Sequence, residues 1–305
     1  MKIMSIKKVG ALFLTSLFAV SLAVGQKPKP TPKPPAKPKS IVFAVDNDGK
    51  SIEPIAYIDR GKLSDATNSA AGQKAFSAAF YKTGTNYTLV FGGANDGKFS
   101  VTKSNAGSDC ASNMADGAAT AAKARLKGIV MALATNAKVG TGPGVRRLPT
   151  AAERTEVEAL VKAEFTKQKV SSAMQKDLHY QNLTAIDVDK DGKAELVGSY
   201  WLGPNDKDRR LLFFIADKGA SGKYSFGYSE YQHVTPDKVM SGNVKDLDEG
   251  IYHELLLDSL DIDGDGTNEI FTIIQAFEGN NFHAFRREGG KWVKTFEAYN
   301  YHCAY

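Results

Sequence analysis

The 305-residue chain has little of what enzymes ordinarily rely on: two cysteines, five histidines and two tryptophans. It contains no Gly-x-Ser-x-Gly elbow, no His-Glu-x-x-His pair and no cysteine nucleophile set beside a histidine. The glycine cluster "GTGPG", residues 140–144, lacks the lysine and hydroxyl residue of a phosphate-binding loop and is expected to be a plain linker. His179, His233, His253, His283 and His302 are scattered along the sequence and are expected on strand surfaces or as satisfied core residues. Together these absences weigh against catalysis.

Acidic residues are missing altogether from residues 1–39, which hold eight lysines. The net charge of +5 therefore includes +8 from this stretch and leaves −3 for the remainder, so the sequence pI near 8.9 is no argument for nucleic-acid binding. Within the stretch, Lys2, Lys7 and Lys8 precede an apolar run of 16 residues, "VGALFLTSLFAVSLAV", and Ala23-Val24-Gly25 gives the small-residue spacing that a signal peptidase needs. Residues 1–25 are expected to be a secretory signal cut before Gln26. The run is shorter than the roughly 20 residues that span a bilayer, which makes a retained anchor the second reading. No cysteine near the cut supports a lipid anchor. Residues 26–39, "QKPKPTPKPPAKPK", carry six of the eleven prolines and five lysines, a composition that favours an extended polyproline spacer. In an exported chain, Cys110 and Cys303 are expected to form one disulfide. The protein is thus expected to be secreted or periplasmic, at the cell envelope, with no transmembrane segment after cleavage.

What is present is β signal. Residues 40–112 look like an N-terminal β module, in which "SIVFAVD" and "IEPIAYID" flank the hairpin signal "NDGK", and "NYTLVFGG" and "KFSVTKS" flank "ANDGK". A short helix is expected in "SAAGQKAFSAAFY". The alanine-rich stretch from Met114 to Asn136 is expected to be helical by propensity, and "TAAE" at Thr150 is a capping box that opens a second helix. Residues 113–178 are accordingly expected to be a helical connector carrying two linking helices.

Residues 179–305 hold eight strand-like segments in two similar halves. "LTAIDVDKDGKAELVGSYWL" and "LDSLDIDGDGTNEIFTIIQA" align with an offset of 74 residues, and each is followed by two more strands. Two copies are too few to close a propeller of four or more blades, so two four-stranded antiparallel units packed as a sandwich or partial propeller are expected. The fold class is mostly β (α+β).

The repeated halves carry the chemistry. The first offers Asp187, Asp189, Asp191, Gly192 and, at the ninth position, Glu195; the second offers Asp261, Asp263, Asp265, Gly266 and Glu269. In a tight loop, alternate side chains converge on one centre, the glycine permits the turn, and the carbonyl of Lys193 or Thr267 adds a neutral oxygen. Hard oxygen donors without histidine or cysteine suit Ca²⁺ better than Mg²⁺, giving two expected calcium sites. A third stretch, "AVDNDGKSIE", has Ala44 and Ile52 at ligand positions and is expected to be only a turn. An EF-hand would close with a glutamate at position 12, where Gly198 and Thr272 stand, and would lead into a helix rather than a strand.

The pattern D-x-D-x-D-G-x-x-D/E leading into a strand resembles the calcium loops of FG-GAP and VCBS repeats, over roughly residues 180–305. The resemblance implies metal binding by the ten residues just named. It does not carry over the ligand face of a full propeller, because the copy number falls short.

The expected role is a non-catalytic one: binding or adhesion, or a structural part, at the cell envelope, with an envelope or extracellular protein or glycan as partner. The alternative is a secreted polysaccharide hydrolase or lyase with structural calcium. Glu278 with the following "GNNFH" suits a carbohydrate site and an exposed turn equally. Aromatic residues such as Trp201, Tyr228 and Trp292 suit core and cross-strand positions, with a sugar or peptide platform as the other reading.

Overall fold

Sixteen antiparallel strands and two α-helices form the fold in the computed structural model, which describes residues 40–66, 70–140, 142 and 144–303. The expected signal and spacer lie outside the described residues, as does part of the 140–144 linker. The first strands are β1 (Ser40–Asp46), β2 (Ser51–Asp59) and β3 (Lys62–Asp65), followed by helix α1 (Ala70–Phe80) and β4 (Asn86–Phe91). Then come β5 (Ala94–Ser104), β6 (Ala115–Ala121) and β7 (Ala132–Thr135). Their order is β1-β7-β4-β5-β6-β2-β3, and β1 also pairs with β2, so six strands close into a barrel with β3 appended. Closure leaves those six strands no free edge. Phe43, Tyr87, Leu89 and Phe99 fill the interior together with Phe76 and Phe80 of α1.

Two expectations fail in this module. Residues 114–136 are not a helix. They supply β6 and β7, because the barrel needs small side chains where β6 crosses β5: a Cβ on Gly117 would lie 2.3 Å from the Phe99 ring. Packing requires glycine at position 117, and this tertiary demand overrides helix propensity. The second turn is also misplaced. Phe91 pairs with Ala94, so the hairpin turns on Gly92 and Gly93, at φ 67° and 72°, while "NDGK" continues into β5. The first turn is as expected, with Asn47–Gly49 joining β1 to β2.

After a two-residue strand β8 (Arg146–Arg147) comes the only one of the two connector helices that forms, α2 (Ala151–Lys167). Its capping box is present: Glu153 N–H donates to Thr150 Oγ1 at 3.2 Å, and Thr150 N–H donates to Glu153 Oε2 at 2.7 Å. Two hydrogen bonds from Arg147 hold the Glu153 carboxyl down to about 2.

All eight expected strands of the last third are present: β9 (His179–Ile186), β10 (Glu195–Asn205), β11 (Asp208–Lys218), β12 (Tyr224–Val234), β13 (Glu254–Leu260), β14 (Glu269–Ala276), β15 (Gly279–Glu288) and β16 (Lys291–Tyr301). They make two antiparallel sheets of five and four strands, because β8 adds to β9 and gives the first sheet an extra member.

The elements stack in layers. Val157, Val161 and Phe165 of α2 cover one face of the first sheet on Leu196, Leu212 and Phe214. Its other face, with Val197, Phe213 and Ile215, meets Leu256, Ile270 and Phe285 of the second sheet. The far face of the second sheet, with Leu257, Phe271 and Phe282, packs on the outside of the barrel at Val42, Ala44 and Leu133. The alternating side chains of β13 to β15 therefore serve two cores, which is why these strands are apolar on both faces. Cys110, in the loop after β5, is disulfide-bonded to Cys303, just past β16, as expected.

Candidate metal centre

Each acidic loop is the turn of a hairpin. Residues 187–194 join β9 to β10, and residues 261–268 join β13 to β14. Glu195 pairs with Ile186 and Glu269 with Leu260, so the closing glutamate of each loop is also the first residue of a strand. Strand register therefore sets its direction. Glu195 lies on the side of β10 that faces the second sheet, and Glu269 on the side of β14 that faces the barrel; both are buried.

Although only some of their residues are identical, the loops share one hydrogen-bond skeleton. Gly192 N–H donates to Asp187 Oδ2 and Gly266 N–H to Asp261 Oδ2, both at 3.1 Å. Lys193 N–H reaches Asp191 Oδ1 at 2.7 Å, and Thr267 N–H reaches Asp265 Oδ1 at 2.8 Å. Val188 N–H donates to Glu195 Oε2 and Ile262 N–H to Glu269 Oε2, again both at 3.1 Å. The fourth residue is left-handed in each, Lys190 at φ 60° and Gly264 at φ 82°.

Three carboxylates come together in each loop. Oxygens of Asp187, Asp189 and Glu195 lie within 4.8 Å of one another, and so do those of Asp261, Asp263 and Asp265. Asp191 instead faces Lys193, whose Nζ is 3.2 Å away. Glu269 is drawn to Arg286, with Nε 2.8 Å from Oε1.

Two adjacent arginines on β15 complete the site, and sequence reasoning missed both. Successive residues of a strand point to opposite faces, so Arg286 and Arg287 serve different loops. Arg286 bonds Glu269 and lies 3.4 Å from Asp263. Arg287 bonds Asp189 at 2.7 Å and Glu195 at 3.1 Å, and also Asp217, while its guanidinium stacks on Trp292. Each guanidinium touches the third and ninth residues of its loop. The one available signal was "RRE" next to a loop-bearing hairpin, whose partners lie 92 and 98 residues away in sequence for Arg287.

The electrostatics leave room for more positive charge. Burial pushes the Glu195 carboxyl up to about 7; the Val188 N–H opposes this, and the charge of Asp189 adds to it. Glu269 is raised to about 7 in the same way, by burial and, secondarily, by Asp263. Asp187 Oδ1 is buried with no hydrogen-bond partner among the described residues. An orphaned carboxylate oxygen beside two others, in a donor set of oxygen alone, fits a hard cation.

The loops also touch. Asn268 N–H of the second donates to the Val188 carbonyl of the first at 2.9 Å. The barrel supports the second loop twice. Arg286 donates to the Gly61 carbonyl at 2.8 Å, and Gly61 sits so close that a Cβ there would be 2.4 Å from Asp263 Cβ. Gly92 and Gly93 donate to the fully buried Asp258, which also pairs with Arg146 at 2.8 Å.

No family model, curated protein or solved structure matches the chain.

Proposed function

We propose that the protein is an exported, calcium-binding, non-catalytic β protein with a binding or structural role at the cell envelope, and that its last two sheets are a two-unit relative of FG-GAP and VCBS repeats packed in the manner of a partial propeller. The observation that carries this reading is the shared loop skeleton: two turns 74 residues apart hold the same bonds and gather three carboxylates each. Asp187, Asp189 and Glu195 would hold one ion, and Asp261, Asp263 and Asp265 the other. Bound calcium would neutralise like charges and pin each hairpin. Oxidative pairing of Cys110 with Cys303 supports an exported protein, since oxidising compartments favour it. No helix among the described residues is long and apolar enough to cross a membrane.

Calcium added to metal-stripped protein is expected to raise Tm. An ion at a hundred times its Kd adds about 2.7 kcal/mol per site. Changing Asp187 and Asp261 together to Asn should abolish most of the response. A melting curve indifferent to calcium would remove the reading.

A further inference from the structure

A cleft of about 510 Å³ opens where the barrel meets the far end of the second sheet, within the size range of small-molecule sites. It lies at the opposite end of β14 from the second acidic loop, about 25 Å away along eight strand residues. Two of its lining residues, Asn280 and His302, are held from behind by Glu53, which is fully buried. Glu53 accepts from Asn280 Nδ2 at 2.8 Å, Asn300 Nδ2 at 2.6 Å and His302 Nε2 at 2.8 Å. Burial would lower the His302 imidazole, but the hydrogen bond and charge of Glu53 outweigh it and hold the group above its ordinary value. The charge of Glu53 is therefore already met.

The lining is mixed. Asp46, which accepts from Ser51 Oγ, contributes polar groups with Asn280 and the exposed Gln275. Met114, Ile251 and Phe277 contribute apolar surface. Burial, then the charge of Glu53, raises the Asp46 carboxyl above its ordinary value.

We infer that this cleft binds a neutral saccharide, with Asp46, Ser51 and Gln275 taking its hydroxyl groups and Phe277 covering the C–H face of a sugar ring. Hydroxyls require partners that donate and accept, which the amides of Gln275 and Asn280, the Ser51 hydroxyl and the Asp46 carboxyl supply between them. The apolar C–H face of the ring needs an apolar wall. An anion would meet the acidic Asp46 in the lining. A bare metal ion is not what these residues gather, for among the described residues they form no group of three with ligand atoms within 4.8 Å of one another. The assignment deepens the binding role proposed above and rests on it, while using none of the calcium residues.

The test is calorimetric titration of the disulfide-intact protein, in calcium and in chelator, with maltotetraose, cellotetraose and fully N-acetylated chitotetraose, and with spermidine as a cationic comparator. Saturable binding of at least one saccharide is expected, weakened at least tenfold by Phe277→Ala and by Gln275→Lys. Gln275 is exposed, so its variant should keep the parent Tm, and the test survives if Phe277→Ala fails to fold. Binding of none of the three, binding unaffected by Gln275→Lys, or binding of spermidine in their place would overturn the saccharide. A calcium response without saccharide binding removes the cleft alone, and saccharide binding without a calcium response removes the metal loops alone.

Discussion

Two residues show how burial and pairing set charge in this protein. His253 is 1% exposed and bonds through Nε2 to the Leu247 carbonyl. Burial pushes its imidazole down to about 4, against the weaker pull of that carbonyl and of Asp248. A depressed folded value means that the unfolded chain takes up the proton first. Stability is thus intact above about 6.5 and is lost as pH falls toward 4, by about 3 kcal/mol at this residue. NMR titration of the imidazole should show no protonation until well below pH 6; a midpoint near 6.5 in the folded protein would contradict the burial argument. Arg287 is the opposite case, a cation held by three carboxylates. If calcium neutralises the same group, Arg287→Ala should lower Tm further in chelator than in excess calcium. Equal losses in both would show that the arginine and the ion act on different charges.

At the scale of elements, the barrel turn at Gly61 is a brace for the second loop. Gly61→Ala should displace Asp263 and weaken the calcium binding proposed for the second loop by about tenfold or more, the usual effect of losing outer support. Gly222→Ala is the control, because it carries the same left-handed strain, at φ 76°, with nothing within 4 Å to meet. If both variants bind calcium like the parent, Gly61 is no brace. Local patterns announced most elements: alternation and turn residues marked the eight strands of β9 to β16, and Thr150 with Glu153 marked the start of α2. They did not announce β6, because the demand for small side chains there comes from Phe99 on a neighbouring strand. The acidic loops were visible because all their ligands lie within nine residues. Arg286 and Arg287 were not, since a charge on a distant strand has no local signature until the sheets are stacked. The same holds for Glu53, whose partners lie 227 to 249 residues away.

For the molecule as a whole, the bond between Cys110 and Cys303 joins the barrel to the last strand across a separation of 193 residues. In the chain-entropy model, closing so long a loop stabilises by about 5 kcal/mol. Reduction should therefore lower Tm, and an unchanged melting curve on reduction would mean that noncovalent contacts, with the Glu53 network and the Asn113–Asn300 bond among them, suffice to keep the end of β16 on the barrel. The covalent ring has a mechanical consequence as well. Tension applied between residue 40 and the C-terminus crosses from Cys303 directly to Cys110, and the chain between them, with both acidic loops and the stacked sheets, carries none of it. Stretching a single oxidised molecule should release only the strands ahead of Cys110, roughly 250 Å of contour, against roughly 950 Å once the bond is reduced. Under load, then, β1 to β5 would yield as a fuse while the two sheets with the acidic loops stay folded.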